Sequence, residues 1–278
     1  MKFYLGIDGG GSRCRARVVD ASGRLIGEGQ AGPANITSDR QASLAAILTA
    51  ARAALGALPF EAVTAALGLA GANDRQAAAD LERRLPFGQS RIVSDGHIAV
   101  MGALGAGDGI VAALGTGSVF VVQRQGVQRE IGGKGLILGD EASGAWIGRR
   151  LLSLALRADD GFQPTTPLLT RVLADMGGVA GTIGFARSAT PADFAALAPL
   201  IAASQDPAAV AILDEGAGEV LRAIALLQGG DRLPVVCLGG LAPVYASRIS
   251  AVWDLAQPLA TGLDGALALA RLMARSKD

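Results

Sequence analysis

The sequence predicts an α/β protein of two domains built on one repeated plan, and three observations carry that expectation. Short apolar segments ending in glycine-rich turns alternate with segments of helical period, the pattern of sheets covered by helices. A strand, a small-residue turn and a return strand at 2–19 recur as a plan at 109–123, without obvious similarity of sequence. The length of 278 residues allows one large domain or two medium ones at about 100 to 200 residues each, and the recurrence selects two.

The chain opens with a predicted apolar strand at 2–7, a turn at Asp8-Gly9-Gly10-Gly11-Ser12, and a second strand at 13–19 in which arginine and apolar residues alternate. A turn at 20–23 leads to a third strand at 24–30. After Gly32-Pro33-Ala34-Asn35, Ser38 or Asp39 can cap a helix running to about Leu55, with Leu44, Ile47 and Leu48 as its apolar stripe. A strand at 63–69, a helix at 74–85, a strand at 90–94 and a helix starting near Asp95 complete the first half. The plan then restarts with a strand at 109–114, the turn Gly115-Thr116-Gly117-Ser118 and a return strand at 119–123. From Asp140 to about Gln228 the pattern is mostly helical, with caps expected at Asp140 and at Asp206-Pro207. A short strand at 234–238 runs into Gly239-Gly240-Leu241-Ala242 and another helix. The segment 262–275 is amphipathic, with its basic residues at the C-terminal end.

Composition excludes several classes. Lys+Arg 25 balance Asp+Glu 25, so no general pull towards nucleic acid or anionic lipid exists, and no basic cluster marks a phosphate-backbone footprint. The opening residues carry an acidic group and a glycine run too early for a secretory signal, and no apolar run reaches the length of a membrane span. Cys14 and Cys237 are far apart in apolar runs, which reads as two reduced thiols in a cytoplasmic protein. With one histidine, His97, and two cysteines, chemistry must rest mainly on carboxylates, backbone amides and a metal brought in with substrate.

Asp8-Gly9-Gly10-Gly11-Ser12 is the most informative segment. Glycines at a hairpin tip let backbone amides approach an anion, and Ser12 adds a hydroxyl. It is neither a Walker loop nor a dinucleotide fingerprint, because the turn joins two strands. Gly115-Thr116-Gly117-Ser118 repeats the device, and Gly239-Gly240 removes side chains where a helix starts, which suits a flat group or a phosphate. Each of these also fits an ordinary turn. Asp95 ends a strand, where open α/β sheets gather ligands, and equally fits the N-cap of the next helix. Asp140 has the same two readings, and Asn35 fits a turn.

These loops in this order carry a family resemblance over essentially the whole chain. The segments are Gly6-Ile7-Asp8-Gly9-Gly10-Gly11-Ser12, Cys14-Arg15-Ala16-Arg17, Ala34-Asn35-Ile36, Ser94-Asp95, Gly115-Thr116-Gly117-Ser118, Gly132-Gly133, Asp140 with Ser143-Gly144, Gly239-Gly240 and Gly265-Ala266-Leu267. The sequence resembles the sugar kinase, Hsp70 and actin superfamily, and within it the N-acetylglucosamine kinase and BadF/BadG/BcrA/BcrD-type ATPase group, most closely bacterial glucosamine kinases.

The resemblance implies two ribonuclease H-like (actin-like ATPase) domains, 1–106 plus 263–278 and 107–262, with nucleotide and sugar in the cleft between them. It implies ATP and Mg2+ as cofactors and a small-molecule amino sugar as acceptor, phosphorylated on its 6-hydroxyl, with no nucleic acid or membrane partner and a homodimeric assembly. Asp8 would hold the Mg2+ through water. Gly9, Gly10, Gly11, Ser12, Gly115, Thr116 and Gly117 would clamp the phosphates, and Gly239 and Gly240 would border the adenosine. Asp95 matches the base that takes the sugar proton, and Asn35, Gly133, Lys134, Gly135 and Asp140 match sugar-binding positions. Ser12 stands where threonine is usual, and Lys134 where some members carry tryptophan. The same group contains ATPase activators of iron-sulfur dehydratases, whose clusters need cysteines at a subunit interface. Neither Cys14 nor Cys237 is placed for that. A nucleotide-binding regulator is the non-enzymatic alternative, and retention of Asp95 with both loops weighs against it.

Overall fold

The computed structural model describes residues 2–275; the last three residues of the expected first domain lie outside that range. The chain divides into two compact units. One holds the chain up to Asp108, Gln123–Gln128 and the chain from Gln257 on; the other holds Gly109–Val122 and Arg129–Ala256. The short hairpin tip joins the first unit through polar contacts: Gln123 Nε2 donates to the carbonyls of Gly105 and Gly107 at 3.0 and 2.8 Å, and Asp108 accepts from the Gln125 amide.

In the first unit, β1 (Phe3–Gly9), β2 (Cys14–Asp20), β3 (Leu25–Ala31), β4 (Val63–Leu69) and β5 (Gln89–Ser94) form a sheet of order β3-β2-β1-β4-β5. The first three strands pair antiparallel, and β4 and β5 add in parallel beside β1. Leu5, Ile7, Leu67 and Leu69 are fully buried, each stabilising the unit by about 1.5–3 kcal/mol relative to exposure. Buried Asp20 holds the β2–β3 turn, accepting from the Ser22 amide and hydroxyl and from the Arg24 amide.

Helix α1 (Arg40–Leu55) is capped by Asp39, whose carboxylate accepts from the Ala42 amide. Its buried face is Ser43, Ile47, Ala50, Ala51, Ala54 and Leu55. Of the stripe read from sequence, Ile47 lies on this face, and Leu44 and Leu48 lie half-buried to one side of it. The cause is close packing: a Cβ at Gly29 on β3 would fall 2.0 Å from the Ala50 carbonyl, so the helix backbone itself rests on the strand and alanines face it. Helix α2 (Arg75–Glu82), capped by Asp74, and α3 (Asp95–Leu104) follow.

The second sheet has the order β8-β7-β6-β9, from β6 (Gly109–Leu114), β7 (Ser118–Arg124), β8 (Val127–Gly132) and β9 (Val235–Leu238), with β9 parallel to β6. It repeats the arrangement β3-β2-β1-β4 of the first sheet. Strand β8 is absent from the sequence reading because Val127-Gln128-Arg129-Glu130 is polar and mostly unburied, the character of an edge strand. Helix α4 (Gly144–Asp159) is capped by Ser143, which accepts from the Trp146 amide at 3.1 Å; Asp140 is not the cap. Then come α5 (Pro167–Asp175), α6 (Gly178–Ser188), α7 (Pro191–Ala195), α8 (Ala198–Ala202), α9 (Pro207–Gln228) and α10 (Ala242–Ser250), with Asp206 capping α9 as expected. Trp146, Ile147, Leu151, Ile212, Ile224 and Tyr245 lie in this unit's core.

The last helix, α11 (Gly262–Arg275), belongs to the first unit and packs on α3, β1 and β4. Thr261 and Asp264 exchange hydrogen bonds at its start, a reciprocal cap, and Arg17 on β2 reaches Asp264 at 2.6 Å. Among the described residues no single helix is long and apolar enough to cross a membrane.

Candidate functional site

In the first unit the expected residues gather at one edge of the sheet, where β1, β4 and β5 end. Register places Asp8 opposite Gly68 and Gly9 opposite Leu69, and Leu69 opposite Ser94. With two strand spacings of about 4.8 Å, the end of β1 stands about 10 Å from the end of β5. A lattice of backbone bonds fixes this edge. Ala70 N donates to Gly9 O at 2.8 Å, Ile36 N to Ala70 O at 3.1 Å, and Ala34 N to Gly10 O at 2.9 Å. Asn35 is thereby held beside the glycine loop, and its Oδ1 accepts from the amide and hydroxyl of Thr37, leaving Nδ2 as the donor end.

The Asp95 carboxylate begins α3 and is exposed. The cap of this helix is Ser94, whose Oγ accepts from the His97 amide at 3.1 Å. Capping therefore does not account for Asp95, whose Oδ1 accepts from the Gly96 amide at 2.9 Å. Among the described residues Asp8 is engaged on one oxygen: Arg15 Nη2 bonds Oδ2 at 2.5 Å, as its direct cross-strand partner. Sequence reasoning missed this pair; hairpin register, counted outwards from the turn, was the signal that could have found it.

The second unit repeats the arrangement. Strands β6 and β9 run parallel, so Leu114-Gly115 and Leu238-Gly239 emerge at one edge, and Leu241 N bonds Leu114 O at 3.0 Å. The loop at 115–117 is tied to the start of α4 by Gly144 N to Gly115 O and Ala145 N to Thr116 O. Asp140 is buried, with φ +57°, and its Oδ1 accepts from Gly135 N at 3.0 Å. Its Oδ2 lies 2.7 Å from where a Cβ on Gly117 would stand. One carboxylate thus braces both Gly117 and the Gly133-Lys134-Gly135 loop. Burial pushes the Asp140 carboxyl above its ordinary value, and the Gly135 and Lys134 amides pull against that rise. Ser118 joins the brace through its hydroxyl, which donates to Glu141 O.

The loop glycines divide into two kinds. A Cβ would strike Leu69 and Ala34 at Gly9, Asp140 at Gly117, and the Leu114 carbonyl at Gly239, which also has φ +94°. The fold requires these three. At Gly11, Gly115 and Gly240 nothing lies within 4 Å of a built Cβ, at Gly10 only Arg13 O at 3.9 Å, and none of the four has positive φ. Neither strain nor packing demands glycine there, so the backbone at these positions is open to close approach.

No group of three or more His, Cys, Asp or Glu is placed to hold a metal among the described residues. Asp8 offers a single carboxylate, a donor that Mg2+ accepts alongside phosphate oxygens and water. Burial raises the Cys14 thiol to about 12, with help from the Asp8 charge, and Cys237 to about 11, so both stay protonated and inert.

The model of the BadF/BadG/BcrA/BcrD ATPase family matches residues 5–254. Glucosamine kinase GspK of Vibrio cholerae is 30% identical over 283 aligned residues, 97% of this chain and 96% of that one. A crystal structure from Chromobacterium violaceum, assigned as an N-acetylglucosamine kinase, aligns with a TM-score of 0.90 at 33% identity over 97% of this chain and 99% of that one. A ROK family glucokinase from Streptomyces griseus, solved with glucose and AMPPNP, shares the fold at a TM-score of 0.60 and 21% identity, over 97% and 99% of the two chains.

Proposed function

The chain belongs to the BadF/BadG/BcrA/BcrD ATPase family, and from that premise we propose that it transfers the γ-phosphoryl group of ATP to the 6-hydroxyl of an amino sugar, glucosamine in preference to N-acetylglucosamine. The observation that carries the reading is the set of glycines at 10, 11, 115 and 240 with open space where a side chain would stand. Backbone amides in each loop are then open to phosphate oxygens.

In this reading Asp8 holds Mg2+ through water on the oxygen that Arg15 leaves open, and the metal supplies neutralisation of phosphate charge. The loops at 9–12 and 115–117 fix the phosphates, and Gly239-Gly240 borders the adenosine. Asp95 accepts the proton of the acceptor hydroxyl. It is exposed, and its level in the sheet matches that of the first loop, so positioning does the work that phosphoryl transfer requires. Asn35 offers Nδ2 to a sugar oxygen, and Asp140 keeps Gly133-Lys134-Gly135 in place for the acceptor. Lys134 brings no ring for an acetamido methyl to pack on, which supports the free amine as the preferred 2-substituent. The assembly in this reading is a homodimer.

Coupled ADP release tests the proposal. Turnover should require both Mg2+ and an amino sugar, with kcat/KM for glucosamine above that for N-acetylglucosamine by about tenfold, or about 1.4 kcal/mol in the transition state. Equal ATP hydrolysis with and without every amino sugar would remove the kinase reading, and a preference for the acetylated sugar would reverse the placement of the 2-substituent.

A further inference from the structure

The second unit contains a cavity of about 1060 Å3 whose lining lies apart from the phosphate loop and from Gly239-Gly240. Its volume lies just above the roughly 300–1,000 Å3 of small-molecule pockets. Leu136, Leu152, Leu156 and Phe194 make its walls apolar, from the 134–138 loop, α4 and α7. On the same loop Ile137 and Leu138 are 88% and 83% exposed, an unusual state for adjacent large aliphatic residues.

The charged groups of the lining are all of one sign: Lys134, Arg149 and Arg157, with no carboxylate among the lining residues. None of the three forms an ion pair among the described residues. Arg149 donates to the Leu136 carbonyl at 3.2 Å, and Arg157 sits 5.0 Å from the Phe162 ring centre. The neighbouring arginine on α4 behaves otherwise: Arg150 reaches Glu215 on α9 at 2.6 Å. On α4, then, the arginine that faces α9 has a carboxylate partner, and the two that line the cavity have none among the described residues. An apolar chamber with unneutralised cations complements an anion with an apolar body, and opposes a basic or purely polar ligand.

We propose that this cavity is a binding site for a small amphiphilic anion, an apolar chain or ring system carrying one carboxylate or phosphate head group. The head group meets Arg149, Arg157 and Lys134, and the apolar body packs on Leu152, Leu156 and Phe194 beneath Ile137 and Leu138. The lining shares Lys134 and Gly135 with the loop assigned above to the acceptor, whereas Arg149, Arg157 and the apolar walls have no part in the kinase reading, so variants at 149 and 157 test the site separately.

Titration of the full chain with the fluorescent anion 8-anilinonaphthalene-1-sulfonate tests it. One saturable site per chain is expected, and the uncharged N-phenyl-1-naphthylamine should bind at least about tenfold more weakly. The surface double variant Arg149→Glu with Arg157→Glu, checked for folding by circular dichroism, should weaken the anion by at least about tenfold. Ser153→Trp, which fills the half-buried wall of α4 from a second direction, should also abolish it. Octanoate or octyl phosphate should displace the dye, and the better competitor identifies the head group. Unchanged dye affinity in the folded charge-reversed chain, equal affinity for the neutral dye, or displacement by neither competitor would overturn the site.

Discussion

Replacing two loop glycines by alanine separates what the fold needs from what a ligand needs. At Gly239 the new methyl stands 2.4 Å from the Leu114 carbonyl oxygen, where ordinary contact begins at 3.4 Å. The oxygen must retreat by about 1 Å, against its bond from Leu241 N. A left-handed φ of +94° adds about 1–2 kcal/mol, and overpacking about 1–3 kcal/mol, so Gly239→Ala should cost about 2–5 kcal/mol. At Gly10 the nearest foreign atom is 3.9 Å away and φ is not positive, so Gly10→Ala should leave stability within about 0.5 kcal/mol. It should instead raise KM for ATP by about tenfold, about 1.4 kcal/mol, by standing where phosphate oxygens meet the amides. Both tryptophans, Trp146 and Trp253, lie in the second unit, so their fluorescence in urea reports Gly239→Ala directly. Far-ultraviolet dichroism monitors the first unit for Gly10→Ala. A normal unfolding midpoint for Gly239→Ala, or an unchanged KM for ATP in a folded Gly10→Ala, would refute the division of the glycines.

Neighbouring residues at the start of α3 should fail in different ways: Asp95→Asn should lower kcat by about 10² to 10⁴ at intact stability, whereas Ser94→Ala should cost about 0.5–2 kcal/mol in unfolding experiments. The Ser22 hydroxyl, followed by the Arg24 and Ser22 amides and the Arg24 guanidinium, lowers the Asp20 carboxyl from 3.8 to about 2. Its stabilisation is fully present above pH 3.8 and is lost as pH falls towards 2, so Asp20→Asn should lower the melting temperature near pH 6, with the difference closing towards pH 2. The Tyr245 hydroxyl is buried without a hydrogen-bond partner among the described residues, against Gly216. Tyr245→Phe should therefore match the parent in thermal stability or exceed it by up to about 1 kcal/mol, and a clear loss would reveal a bond to that hydroxyl.

Most of the scaffold was legible because its signals are short-range. Asp39 and Asp206 cap helices a few residues away, and the glycine turns sit between apolar strands whose partners follow at once in the chain. The chain's charge balance and its paucity of histidine and cysteine likewise limited the chemistry before any contact was known. Edge strand β8 escaped because an exposed strand needs no apolar signal, and all of the inner face of α1 but Ile47 escaped because glycines on β3 admit the helix backbone so closely that alanines become the core.

By itself, then, the sequence determined the repeated strand-and-turn plan, the positions of both glycine loops and the carboxylates available to them, since these follow from local pattern and residue chemistry. Only the tertiary structure decided what each does. It hands the caps to Ser94 and Ser143, joins Asp8 to Arg15 across β1 and β2, and sets Asp140 between Gly117 and Gly135. It also separates the glycines that backbone packing requires from those whose Cβ would meet open space. The physical reason is range: a cap or turn is satisfied within a few residues, whereas a brace, a close approach or a buried carboxylate depends on atoms that only folding brings together.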